Sequence, residues 1–183
     1  MPNCHLMNII VGACLVAAAN GEDNEDMDDG MESRTELDSH ANMVVVGKNA
    51  AIIGDSGETA DVSPFAPDFD LMQKVRIVDA AIMYFCPYSS KSYLLVMRNA
   101  LHVPSMNHNL IPPFVMREAG LIVDTTPKIQ VVDPTVENHS IYFMDEGLRI
   151  PLSLWGVFSY FPTSKPIKRM LDECEDVLLL TPD

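Results

Sequence analysis

The chain has 183 residues, 48% of them hydrophobic and 13 of them proline, so it can fill one domain's core but must interrupt it often. Its 26 acidic and 12 basic residues leave a formal charge of −14. That balance excludes the clustered Lys and Arg surface that phosphate backbones require, so no nucleic-acid partner is expected.

Taken in chain order, the first apolar stretch is Ile9 to Ala19. It has the length of a signal-peptide core, and Ala17-Ala18-Ala19 offers a cleavage-like site, but no Lys or Arg precedes Arg34. The stretch is too short to span a bilayer comfortably, and no membrane partner is expected. If it were a signal peptide the chain would be secreted, and Asn138-His139-Ser140 would become a glycosylation acceptor. From Glu22 to Glu32 the chain carries seven acids, a run that repels itself and has little to bury. Residues 1–34 therefore read as an apolar start plus a disordered acidic segment, with an acidic docking tail as the functional alternative.

The apolar runs Met43–Val46 and Ala50–Ile53, separated by Gly47-Lys48-Asn49, predict strand, turn, strand. Lys74 to Asp79 alternates and continues as apolar Ala80 to Phe85; after the polar turn Pro87–Ser92 the chain resumes as Tyr93–Met97, which predicts a hairpin. One short helix is expected over Pro113–Ala119, with proline allowed in its first turn and Gly120 as its stop. Ile129–Val132, Ile141–Met144 and Val157–Phe161 supply further strands, and Lys168–Asp183 a helical turn or two that then frays. Many brief strands punctuated by Pro and Gly predict an all-β fold, a small barrel or sandwich.

Cys4, Cys14, Cys86 and Cys174 show no Cys-x-x-Cys spacing and are too scattered for a disulfide scaffold, which points to a reducing compartment. The five histidines form no ligand grouping, so no metal site is expected, and the two-carboxylate chemistry considered next needs no metal or organic cofactor.

The chemistry concentrates at Asp38-Ser39-His40-Ala41, a polar break just before the Met43 strand. Such an Asp can simply cap a turn. It can also work as an acid-base group if a second carboxylate faces it, because two close carboxyls cannot both ionise and so share a proton. One such loop per chain reaches that arrangement by dimerising across a two-fold axis. Asp55-Ser56-Gly57 competes for the role, but Glu58-Thr59-Ala60-Asp61 follows it in place of an apolar strand, and Asp-Ser-Gly is ordinary turn composition.

Glu36-Leu37-Asp38-Ser39-His40-Ala41-Asn42, followed by Val45-Val46-Gly47-Lys48-Asn49-Ala50, resembles the protease start of copia-type retrotransposon polyproteins, especially the branch found in diatoms. Asn99-Ala100-Leu101-His102-Val103-Pro104 and Asn107-His108-Asn109-Leu110-Ile111 resemble the family's next block. Leu148 to Leu154, Gly156-Val157, Ser159 to Thr163 and Lys165-Pro166 resemble its downstream segment. The four blocks occur in the family's order over residues 35–166.

The resemblance implies a retropepsin-like all-β aspartic endopeptidase, homodimeric, cutting extended peptide segments of its own polyprotein in the cytoplasm within a virus-like particle. It implies a protease domain over residues 35–147, with 148–183 an extension or a linker. Asp38 would be the catalytic acid, Ser39 the hydroxyl orienting the carboxylate pair, and His40 and Ala41 the rest of the active-site loop. Asp55 would fall in a variable loop. His40 stands where most such proteases carry Gly, which allows unusual backbone angles and close approach of substrate; the branch carries His there, and Asn42 replaces its commoner Asp. The hairpin around Pro87–Ser92 is a candidate flap over the peptide. Two other readings keep the same residues: a protease fold that has lost turnover and only dimerises or binds peptides, and a transposon fragment without selected function.

Overall fold

A computed structural model describes residues 9–11, 33–64 and 72–183. Among these are thirteen strands, two short helices and one 3-10 turn, an all-β fold. The expected acidic segment lies outside the described residues, as does most of the apolar start; Ile9–Val11 is a strand, β1, parallel to β4.

The long elements are β4 (Ala51–Pro64), β5 (Met72–Phe85) and β6 (Ser92–His102), an antiparallel meander at the centre of a ten-stranded sheet. Alternation explains why β5 reads as a continuous apolar run. Val78, Ala80, Ile82 and Tyr84 face the main core, while Ala81 and Met83 face a second layer under the C-terminal helix. The 14-residue β4 is much longer than the expected Ala50–Ile53 run. It absorbs Asp55-Ser56-Gly57 as an irregularity within the strand, with register shifts on either side of Asp55.

The chain then builds the other half of the sheet from short pieces. β3 (Val45–Val46) pairs in parallel with β6, and β7 (Asn109–Ile111) lies antiparallel to β3 and parallel to β2 (Arg34–Leu37). β12 (Phe158–Pro162) pairs antiparallel with β2, and β11 (Ser153–Trp155) forms the edge beyond it. A three-stranded sheet of β8 (Ile122–Asp124), β9 (Ser140–Phe143) and β10 (Leu148–Pro151) closes over the main core through Val123, Ile141, Phe143, Leu148 and Ile150.

The expected helix forms as α1 (Pro113–Glu118), ended by Gly120 at φ 88°. A second, α2 (Lys168–Glu173), covers β5 and β6 with Met170, Leu171 and Cys174. The chain does not fray after it: β13 (Val177–Leu179) adds in parallel to β6, and Leu180 and Thr181 are buried.

Residues 148–183 are therefore neither extension nor linker. They contribute β10, β12 and β13, and Leu148, Ile150, Leu152, Phe161, Leu178 and Leu180 belong to the main core. The expected strand Ile129–Val132 does not form either. Lys128–Gln130 is a 3-10 turn, and Ile129 and Val132 are 86% and 89% exposed, because no neighbouring strand is in position to pair with a run bounded by Pro127 and Pro134.

Candidate active site

Asp38 follows directly on β2, so the strand that positions it precedes the loop, where the sequence suggested the one after it. The parallel pairs Thr35–Asn109, Glu36–Leu110 and Leu37–Ile111 carry β2 alongside β7. One step further, the Asp38 N–H donates to the Ile111 carbonyl at 3.1 Å. The carboxyl thus sits at the end of a strand flanked on both sides, β7 on one and β12 on the other.

Within the loop the His40 N–H donates to Asp38 Oδ1 at 2.9 Å, closing a two-residue turn around the carboxylate. The Asp38 side chain is largely buried, while Ser39 and His40 are exposed and Ala41 is buried. Ser39 Oγ lies 3.5 Å from His40 Nδ1. His40 is not among the residues with positive φ, so the conformational freedom of glycine is not used here. Its imidazole is 77% exposed, with Nδ1 3.8 Å from Asp38 Oδ1. Histidine is accommodated because the ring leaves the loop for solvent.

Beneath the loop lies a polar network that sequence reasoning missed. Asn109, fully buried, accepts from the Gly47 N–H at 3.0 Å and donates to Thr35 Oγ1 at 3.2 Å. Thr35 Oγ1 in turn lies 3.1 Å from Thr163 Oγ1, so one side chain and two hydroxyls tie together β2, β7, the turn after β3 and the end of β12. Gly47 is required by space: a Cβ there would overlap the Met106 carbonyl oxygen and come within 2.7 Å of that of His108. The signal was in the quoted blocks, since Gly47, His108 and Asn109 all fall in them, but nothing in the sequence joins residues 62 positions apart.

On the opposite face of β2, Arg34 Nε donates to Glu36 Oε1 at 2.6 Å, and Glu36 is buried. The Arg34 guanidinium stacks 5.0 Å from the Trp155 ring and 5.7 Å from that of Tyr160. His108 Nε2 lies 3.8 Å from Glu36 Oε2, beyond hydrogen-bond reach. Burial holds this imidazole below its ordinary range; Glu36 opposes that effect, and the neighbouring Arg34 adds to it. The contact is accordingly a neutral histidine beside a carboxylate already paired with Arg34, and not an ion pair.

Asp55 occupies a different environment. It is exposed on the β4–β5 hairpin, where Gly57 N–H donates to its Oδ1 at 3.0 Å and Arg76 Nη2 to its Oδ2 at 2.5 Å. The Gly57 amide first, then Arg76, holds its carboxyl below the usual range. A carboxylate pinned to an arginine on a strand surface is a structural acid. The turn Pro87–Ser92 joins β5 to β6 at the pair Phe85–Ser92. The Leu101–Val45 pair is level with Glu36, which sets Asp38 level with about Asn99 and this turn roughly seven residues, about 23 Å of strand, further along β6. Among the described residues no three His, Cys, Asp or Glu side chains gather as metal ligands, and no helix is long and apolar enough to cross a membrane.

Family models, curated proteins and solved structures offer no match to this chain. Its functional reading rests on the geometry and on the sequence blocks alone.

Proposed function

We propose that the chain is an aspartic endopeptidase of the copia-type, retropepsin-like kind, acting as a homodimer on extended peptide segments of its own polyprotein. The observation that carries this reading is the placement of Asp38. Its backbone is fixed by the Ile111 carbonyl, its carboxylate is oriented by the His40 amide, and the Ser39 and His40 side chains beside it are open. A turn-capping aspartate needs no such support from a strand running in from 73 residues away.

One protomer supplies one such carboxylate. In the dimer, Asp38 and its symmetry mate share a proton. The ionised partner takes a proton from a bound water as that water attacks the scissile carbonyl, and the protonated partner donates to the developing oxyanion. Collapse of the tetrahedral intermediate breaks the C–N bond, with a proton passing to the departing amine. Ser39, whose side chain is exposed beside Asp38, would hydrogen-bond to the outer oxygen of the pair.

The test is self-cleavage of a chain extended at both ends. Asp38→Asn is expected to abolish cleavage and Asp55→Asn to preserve it. Cleavage lost only in Asp55→Asn would move the site, and cleavage that survives both changes would end the aspartic reading. A folded dimer in which no version cleaves would favour a domain that has kept the fold and lost turnover.

A further inference from the structure

The residues that follow β10 form an uncharged stretch in a strongly acidic protein: no Asp, Glu, Lys or Arg lies between Arg149 and Lys165. At its middle, the tight turn from β11 into β12 exposes Trp155 by 54% and Val157 by 87%, with Leu154 also exposed. Large apolar side chains grouped on one exposed turn mark a contact surface more often than isolated ones do.

Register places this turn at the active-site end of the sheet. Trp155 pairs with Phe158 and Ser159 with Leu37, so Phe158 stands level with Asp38. Because β12 is the strand next to β2, this register sets the turn beside the Asp38 loop, while the Trp155 ring stacks on Arg34 further down β2. We propose that the turn Trp155–Phe158, together with the exposed Ser39 and His40 beside it, is the surface on which a second copy of this chain docks. This rests on the two-carboxylate reading above, under which the site is incomplete until that copy arrives.

Two considerations commit the surface to a self-contact of this form. Copies bearing −14 each repel, so a close contact is favoured where acids are absent, and this turn, which carries none, lies beside Asp38. The free edge of β11 offers another route, strand addition about a two-fold. It would place the two Asp38 loops five strand spacings apart (two within each protomer and one between them), about 24 Å, far too distant to share a proton. The contact must therefore be made by the turn and loop with the two-fold beside Asp38, each copy presenting the same patch. Trp155 is the natural anchor, already rigid on Arg34.

The experiment is sedimentation equilibrium of the full chain, run in parallel with the self-cleavage assay. It compares the natural sequence with Val157→Asp, Phe158→Asp and, as a remote control on an equally exposed apolar residue, Ile129→Asp. The first two are expected to raise the dimer dissociation constant about 100-fold or more, since each dimer loses two apolar contacts and gains two facing carboxylates. Ile129→Asp is expected to leave it within about 3-fold. Melting curves matching the natural chain exclude unfolding as the cause. A natural chain that stays monomeric, or a dimer indifferent to both changes, overturns the inference. The two levels separate cleanly: a dimer lost in Val157→Asp without cleavage by the natural chain keeps the docking surface and removes the protease. Cleavage by a natural dimer that Val157→Asp does not weaken does the reverse.

Discussion

Replacing Asn109 with Leu tests whether the buried network is what holds the candidate site together. The side chain is fully buried and keeps its approximate volume in the change, so the effect is polar. The buried Gly47 N–H loses its acceptor, at a cost of about 1–3 kcal/mol. Thr35 loses one bond but keeps Thr163, for about 0.5–1.5 kcal/mol more. The total of about 2–4 kcal/mol is a large part of a domain's usual 5–15 kcal/mol. In urea this moves the unfolding midpoint down by about 1–3 M at ordinary m-values. Asn107→Ala, an exposed neighbour whose side chain is outside the network, is expected to stay within about 0.5 kcal/mol. Where Asn109→Leu remains folded, self-cleavage should fall by at least about 10-fold, because β2 and β7 position Asp38 through the same pairing. An Asn109→Leu midpoint that matches the natural chain would refute the reasoning, and the support of Asp38 would have to be assigned to apolar packing alone.

Gly47→Ala is expected to be among the most damaging single changes, about 3 kcal/mol or more by thermal unfolding, because its Cβ meets two backbone carbonyls that cannot move independently. Leu180→Ala should cost about 2–5 kcal/mol in the same assay, since the C-terminal segment is core; a value near zero would return it to the status of a tail. Asp55→Asn should leave the thermal melting curve essentially unchanged, as expected for a solvent-exposed pair with Arg76. Stability should also depend on pH. Burial depresses the folded-state pKa of both His108 and His139, so between those values and 6.5 the unfolded chain binds more protons. The stabilisation is therefore complete above pH 6.5 and is lost as pH falls, and melting at pH 7.5, 6.5 and 5.5 should show a decline that His108→Gln reduces.

The all-β class, the β5–β6 hairpin, the helix from Pro113 and the polar break at Ser39-His40 are legible in the sequence, because each depends on neighbours within about ten residues. Periodicity reports burial on one or two faces, and Pro and Gly mark where a chain must turn. The same local signals mislead where partners are distant. Ile129–Val132 has strand composition but no strand to pair with, while Asp55-Ser56-Gly57 has turn composition but is carried within β4 by its pairing to β5. Residues 148–183 look like a separable tail until β12 joins β2 and β13 joins β6. By itself, then, the sequence determined what this chain is made of and where an acid could be presented. Only the tertiary structure decided which strands hold that acid, since Ile111 reaches Asp38 across 73 positions and Asn109 and Thr163 reach Thr35 of the same strand across 74 and 128, through pairings that no local pattern encodes.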